Sequence, residues 1–175
     1  VACVLALRDR HLISDGGVRR AAGRVDFTYA RPSRRTAGDG IVMPAMVGPD
    51  PDVALVVDTS GSITPAILTG FLTEITEILA RAAGPRRRLR VICCDRRAHG
   101  VQTVRRAEDI ELVGGGGTDQ REGVSAALAL HPRPDLILVL TDGQTPWPDR
   151  RPPVPVVIGL VEPGPGLRAQ APPPA

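Results

Sequence analysis

The strongest constraint on the fold is a pair of continuous apolar runs, each followed directly by an aspartate. Val53–Val57 (VALVV) precedes Asp58, and Asp135–Thr141 (DLILVLT) precedes Asp142. Short unbroken runs rich in Val, Leu and Ile are typical of strands buried on both faces, as in parallel sheets. The sequence therefore predicts a sheet that is covered by helices on both sides.

A helix is predicted directly after the first run. Thr64 suits the N-cap position and Pro65 the first helical position. The apolar residues that follow recur at intervals of three and four, which is the helical period. They are Ile67, Leu68, Phe71, Leu72, Ile75, Ile78, Leu79 and Ala82. Gly84-Pro85 is expected to end this helix.

The remaining elements predict how the sheet is built. Strands are expected at Leu89–Asp95, Gly100–Val104 and Pro155–Val161, and a small-residue helix at about 120–130. The linker between Asp95 and Gly100 is too short for a helical crossover, so that pair must be antiparallel. The sequence predicts a doubly wound α/β fold. It has a mostly parallel five- to six-stranded sheet, helices on both faces and one short antiparallel strand.

Three segments differ in composition and periodicity. Residues 1–51 are poorly periodic, and we interpret them as a leader or the remnant of a preceding domain. Residues 52–161 form the α/β domain, and the Pro- and Gly-rich tail 162–175 is expected to be disordered. Because the chain begins with Val, we expect it to be a piece of a longer protein.

Composition excludes several classes of protein. All 22 basic residues are arginines, but the net charge is only +3 and the arginines are scattered, which argues against nucleic-acid binding. No apolar run approaches the roughly 18 residues of a membrane span. VACVLAL is followed at once by Arg8, so no signal peptide is predicted.

The three cysteines, Cys3, Cys93 and Cys94, are odd in number, which does not suit a disulfide framework. We expect a cytoplasmic protein with buried thiols at Cys93 and Cys94.

Polar side chains collect where the predicted strands end. Asp58 and Asp142 end two strands, Ser60 and Ser62 follow on the first turn, and a four-glycine loop delivers Thr118. In doubly wound sheets, ligands bind beyond the carboxyl ends of the strands, at the point where the chain reverses its direction across the sheet. If the two aspartate-tipped strands are neighbours there, all five side chains meet at one crevice.

These five side chains are hard oxygen ligands. Carboxylates and hydroxyls suit Mg²⁺, Mn²⁺ or Ca²⁺ rather than zinc. Asp58, Ser60, Ser62, Thr118 and Asp142 are therefore the predicted metal ligands. Two carboxylates balance a divalent ion, and neutral hydroxyls complete the coordination while leaving a position for an outside ligand.

The same residues allow other interpretations. Ser60 and Ser62 can cap a helix, but the companion carboxylates favour a metal site. Ser60 is not set in a G-x-S-x-G motif, and neither glycine-rich phosphate-binding motif is present. We expect Asp119 to cap the second helix and Asp95 to be a solvated strand end rather than a residue behind the metal ligands. For Trp147, packing on the sheet edge and contact with a partner remain equally open.

The motifs resemble those of von Willebrand factor A (VWA) domains. The sequence DTSGS at 58–62 matches the first motif of their metal-ion-dependent adhesion site, and Thr118 and Asp142 match the second- and third-loop ligands. The three motifs occur in the expected order, and the likeness covers about 110 residues. A closer resemblance, carried by PSRR at 32–35, GGGGTD and TDGQTPWP, is to bacterial VWA-like domains found C-terminal to predicted metallopeptidases.

The resemblance implies a binding module and not an enzyme. A partner protein would supply an acidic side chain to the cation, and a MoxR-type AAA+ ATPase is the partner that such modules suggest. The alternative is the regulatory or substrate-recruiting part of a zinc metallopeptidase whose catalytic domain lies upstream. The zinc motif H-E-x-x-H is absent from this sequence, and His11, His99 and His131 lie far apart, so peptidase activity is not carried over to this chain. A metal-free scaffold is the third interpretation, which the complete set of five residues disfavours.

Overall fold

The structure is a computed structural model that describes residues 3–6, 26–32, 44–47, 52–81 and 89–161. Its strands are β1 Cys3–Ala6, β2 Asp26–Pro32, β3 Pro44–Val47, β4 Val53–Asp58, β5 Leu89–Cys94, β6 Ala98–Val104, β7 Leu136–Thr141 and β8 Val156–Leu160. Its helices are α1 Pro65–Arg81, a 3₁₀ turn at Ala107–Asp109, and α2 Gln120–Leu128.

Six strands form one sheet in the order β1-β8-β7-β4-β5-β6. The pairs along this sheet are parallel except for β5 and β6, which are antiparallel. This arrangement confirms the predicted doubly wound sheet with one antiparallel strand. From β4 the chain moves outward to β5 and β6 and then crosses back to β7 on the other side of β4. The direction across the sheet therefore reverses between β4 and β7. The strands β2 and β3 form a separate antiparallel ribbon.

The two faces of the sheet carry separate hydrophobic clusters because side chains alternate along each strand. Leu55 and Val57 of β4 belong to the cluster that includes the buried residues of α1, and Ala54 and Val56 belong to the cluster that includes those of α2. A Cβ atom at Gly123 of α2 would lie 2.5 Å from a methyl group of Val56. The helix therefore approaches β4 closely only because residue 123 is glycine.

Both helices begin where the sequence predicts. The Thr64 hydroxyl accepts a hydrogen bond from the amide of Ile67 at 3.3 Å, and this confirms the predicted cap of α1. The predicted end of α1 at Gly84-Pro85 lies outside the described residues. Asp119 caps α2 by accepting a hydrogen bond from the amide of Arg121 at 3.1 Å. The helix then ends at 128, two residues before the predicted end.

Some features of the structure lie outside the sequence predictions. Strand β1 comes from residues 1–51, where no strand was predicted, and it pairs with β8 at one edge of the sheet. Strand β6 begins at Ala98 rather than Gly100. The tail 162–175 and the segment PSRR lie outside the described residues apart from Pro32, so the three-part division of the chain stays a prediction. Within the described ranges, no helix combines the length and the apolar character that crossing a membrane requires.

The adjacent thiols of β5 are free and buried, as predicted. Cys93 belongs to the α1 cluster and Cys94 to the α2 cluster, because neighbouring residues of a strand face opposite sides. Burial is the main cause that raises the pKa of Cys94 to about 12. Since the thiolate is the reactive form, this thiol is inert at neutral pH.

Candidate metal centre

Asp58 ends β4 at the switch point of the sheet and is completely buried. Its Oδ1 accepts a hydrogen bond from the amide of Ser60 at 3.0 Å. Its Oδ2 accepts one from the hydroxyl of Thr141, the last residue of the neighbouring strand β7, at 2.5 Å. Two elements therefore fix the orientation of the carboxylate, the turn that follows β4 and the end of β7.

Asp142 follows β7 directly and is also completely buried. Its Oδ1 accepts a hydrogen bond from the amide of Gln144 at 2.9 Å. Its Oδ2 is buried and has no hydrogen-bond partner within the described part of the chain. Leaving a buried carboxylate oxygen without a partner is costly, and a bound cation would remove that cost.

The two carboxylates interact across the switch point. Burial raises the pKa of Asp58 above its ordinary value, hydrogen bonds from Ser60 and Thr141 partly offset the rise, and the charge of Asp142 adds to it. Like charges held at one buried position repel each other. A divalent cation bound here would therefore stabilise both ionised carboxylates.

The predicted hydroxyl ligands lie on the turn after Asp58. Ser60 is 4% exposed, Ser62 is exposed to solvent, and their Oγ atoms are 3.1 Å apart. The helix cap is supplied by Thr64, so capping does not explain these serines. The pair therefore presents two hydroxyl oxygens beside the carboxylate of Asp58.

The glycine-rich loop is joined to this turn by three hydrogen bonds. The amide of Gly61 donates to the carbonyl of Gly116 at 2.9 Å, and the amide of Gly115 donates to the carbonyl of Thr59 at 2.8 Å. The Thr59 hydroxyl donates to the carbonyl of Val113 at 2.8 Å. These bonds hold the first two loops of the candidate site side by side.

Glycine is required at two positions of this loop. A Cβ atom at Gly114 would lie 2.2 Å from the Thr59 hydroxyl oxygen, and Gly115 has a φ of +113°, which other residues rarely adopt. The loop delivers Thr118, which is half-buried, to the same edge of the sheet. The next residue, Asp119, donates its amide to the carbonyl of Asp95 at 2.8 Å and so fixes the end of the loop.

Asp95 is not the solvated strand end that the sequence analysis favoured. It is 9% exposed, and its carboxylate accepts hydrogen bonds from the amides of Arg97 at 3.0 Å and Gly116 at 3.2 Å. Nε2 of His99 lies 3.1 Å from the same carboxylate. The amide of Arg97 is the main cause that lowers the pKa of Asp95. That prediction was wrong because the glycine loop folds back over the end of β5, which the strand pattern alone does not reveal.

The segment before the glycine loop is held by one side chain of β6. The Gln102 side-chain amide donates to the carbonyl of Glu111 at 2.7 Å and accepts from its amide at 2.8 Å. Gln102 thus pairs with the backbone of Glu111 much as a neighbouring strand would. The path of the chain into the glycine loop is fixed by this contact.

Sequence reasoning missed residues that position the candidate ligands. Thr141 holds Asp58, Thr59 joins the first two loops, and Asp95 anchors the glycine loop. A signal for Thr141 was present, since it is the only hydroxyl in an otherwise apolar buried strand. No such signal marked Thr59 or Asp95, because the loop atoms that they bind, the Val113 carbonyl and the Gly116 amide, are distant in sequence.

Trp147 lies on the third loop, five residues after Asp142. It is half-buried and packs against the α2 cluster. This contact favours the packing interpretation of Trp147. Its ring nitrogen is buried and has no partner among the described residues.

The composition of the site limits what it can hold. The described part of the chain contains no group of three or more His, Cys, Asp or Glu side chains that could hold a metal ion. A cation bound between Asp58 and Asp142 would therefore need hydroxyl oxygens as further ligands. The chemistry of the available donors fits Mg²⁺ or Mn²⁺.

The fold and the site together define a doubly wound α/β domain with clustered carboxylates and hydroxyls at the switch point of its sheet. The sequence model of the VWA-like domain family (DUF2201) matches residues 53–174, and the chain belongs to that family. Domains of this kind are generally non-catalytic and suggest protein interaction. The search of curated proteins found no match to the chain.

Proposed function

We propose that this domain is a divalent-cation-dependent protein-binding module. The cation is held by Asp58, Ser60, Ser62, Thr118 and Asp142, directly or through water. The observation that carries the proposal is the buried Oδ2 of Asp142, which has no partner in the described ranges although the carboxyl group of Asp58 is held nearby. An arrangement of this kind is costly without a positive charge and favourable with one.

The charges of the site explain why it would accept an acidic ligand. Two ionised carboxylates neutralise a divalent cation, and the serine and threonine hydroxyls add no charge. A bound Mg²⁺ or Mn²⁺ supplies an electrophilic position that an outside carboxylate can occupy. Ser62 is exposed and Thr118 half-buried, so the site opens to the surface on the side of these two hydroxyls. A Glu or Asp side chain of a partner protein can approach from that side.

The identity of the partner rests on the resemblance alone. VWA-like domains of the bacterial type suggest a MoxR-type AAA+ ATPase, which we propose as the first candidate to test. An upstream metallopeptidase domain likewise stays a prediction from the resemblance.

The proposal is tested by capturing partners on the immobilised protein, in Mg²⁺ and in EDTA. Three matched proteins are compared: wild type, Asp142→Asn and Thr118→Ala. We expect the same protein, identified by mass spectrometry, to be captured by wild type in Mg²⁺ only and by Asp142→Asn in neither buffer. As the resemblance implies that Thr118 contacts the cation mainly in the partner-bound state, Thr118→Ala should lose the partner while keeping most of its Mg²⁺ affinity. Equal capture by all three proteins in both buffers would refute the mechanism.

A further inference from the structure

Arg96 places a positive charge beside the candidate metal centre. It follows Asp95 at the carboxyl end of β5, and its side chain is exposed. Its guanidinium lies against the backbone of Gly117, where a Cβ atom would be 3.4 Å from both Nε and Nη2. Gly117 directly precedes Thr118, so the charge lies at the rim on which a partner's carboxylate would arrive.

The guanidinium of Arg96 has no partner within the described part of the chain. Arg96 makes no hydrogen bond or ion pair there, whereas the nearby carboxylates of Asp95 and Asp119 both have partners. The carboxylate of Asp95 lies beside the ring of His99, and Nη2 of Arg121 pairs with Oδ2 of Asp119 at 2.6 Å. An acidic group of a binding partner is the ligand that would pair with this guanidinium.

The charge balance of the site gives Arg96 a defined role. Asp58 and Asp142 together neutralise a divalent cation, so an incoming carboxylate leaves the site with one negative charge. A second acidic group on the same partner would increase this negative charge unless a cationic side chain paired with it. Arg96 is that side chain, because its guanidinium lies against Gly117, the residue before Thr118.

We propose that the partner presents two acidic side chains from one segment, one for the cation and one for Arg96. This inference rests on the proposed function and names the chemistry of the partner that the site selects. Arg96 is thus a specificity-determining residue that distinguishes a doubly acidic segment from a segment with a single Glu or Asp.

The test uses synthetic peptides as probes and nuclear magnetic resonance titration to measure their affinity in Mg²⁺. One peptide carries a single Glu among glycines, and the others carry two Glu residues separated by one, two or three glycines. Wild type is compared with Arg96→Gln and with the control Arg105→Gln. Arg105 is exposed and follows β6 at the end of the sheet opposite the candidate site, because Val104 pairs with Leu89 and Ala98 with Cys94. The two variants therefore change the net charge equally.

We expect the best peptide with two Glu residues to bind wild type and Arg105→Gln about fivefold more tightly than the single-Glu peptide, with more than half of that factor due to an exposed ion pair. In Arg96→Gln only the roughly twofold statistical gain of a second binding group should remain. The difference between wild type and Arg96→Gln should shrink in high salt because the ion pair between Arg96 and the second Glu is exposed. This inference alone would be overturned if the single-Glu peptide bound in a Mg²⁺-dependent way and the second Glu raised the affinity equally in all three proteins. A lack of Mg²⁺-dependent binding by any peptide would overturn the proposed function as well.

Discussion

The hydroxyl of Thr141 donates a hydrogen bond of 2.5 Å to Oδ2 of Asp58 across the boundary between β7 and β4. The two residues end neighbouring parallel strands, where Val57 pairs with Leu140. The bond stabilises the ionised form of a buried carboxylate and fixes its direction. It also places Asp142, the next residue of the chain, beside the same carboxylate.

Replacing Thr141 by valine should weaken cation binding without removing a proposed ligand. Valine keeps the shape and apolar contacts of the strand end, but Asp58 loses the donor that orients it. Loss of such a supporting contact typically lowers metal affinity by about 10- to 100-fold. Titration calorimetry with Mg²⁺ measures the effect, and Thr141→Ser, which keeps the hydroxyl, should bind nearly as wild type does. Equal affinities for the valine and serine variants would show that this hydrogen bond does not support the site.

The stability of the metal-free protein should depend on the protonation of Asp58. Because burial raises the pKa of this group in the folded state, the group favours folding at low pH, where it is protonated. That contribution is lost as the pH rises through the raised pKa, while cation affinity increases over the same range. Asp58→Asn mimics the protonated form, so it should melt at the same or a higher temperature than wild type in metal-free buffer at neutral pH.

Thermal melts of both proteins at several pH values, with and without Mg²⁺, test this expectation. Mg²⁺ should raise the melting temperature of wild type at neutral pH and leave that of Asp58→Asn unchanged. If Asp58→Asn were strongly destabilised in metal-free buffer, the carboxylate would be required for the fold rather than for binding.

The close contact between Gly114 and Thr59 should make the glycine loop sensitive to a single methyl group. In Gly114→Ala the added Cβ would meet the Thr59 hydroxyl oxygen at 2.2 Å, and the backbone has a positive φ there. We expect a loss of more than about 1 kcal/mol in the free energy of unfolding, together with weaker cation binding. Gly100→Ala is the matched control, since its added methyl group would meet nothing within 4 Å. Urea denaturation compares the two variants, and equal stabilities would contradict the close contact.

The sheet could be predicted from the sequence because its strands are short apolar runs separated by recognisable turn and cap residues. The linker between Asp95 and Gly100 even determined that β6 is antiparallel, since it is too short for a crossover. Strand β1 was missed because its four residues, Cys3–Ala6, show no alternation and, among the described residues, pair with the distant β8. Pairing over such a sequence separation leaves little local signal.

Asp58 and Asp142 could be predicted as candidates because each stands at the end of a strand that the sequence marks. Topology then brings Asp58 and Asp142 together, since β4 and β7 are neighbours at the switch point. The supporting contacts could not be predicted in the same way. Asp95 looked solvated because nothing in the sequence shows that Gly116 folds back and donates its amide to that carboxylate.

The most direct test of the central claim is a titration with Mn²⁺, in which electron paramagnetic resonance measures the free ion. Asp142→Asn removes the charge at Oδ2, which has no partner among the described residues, with little change of shape. Asp149→Asn, at an exposed residue after the same loop, is the matched control. We predict one Mn²⁺ site in wild type and in Asp149→Asn, displaced by Mg²⁺, and no site in Asp142→Asn. Absence of Mn²⁺ binding to wild type, or equal binding to Asp142→Asn, would contradict a metal centre at this switch point.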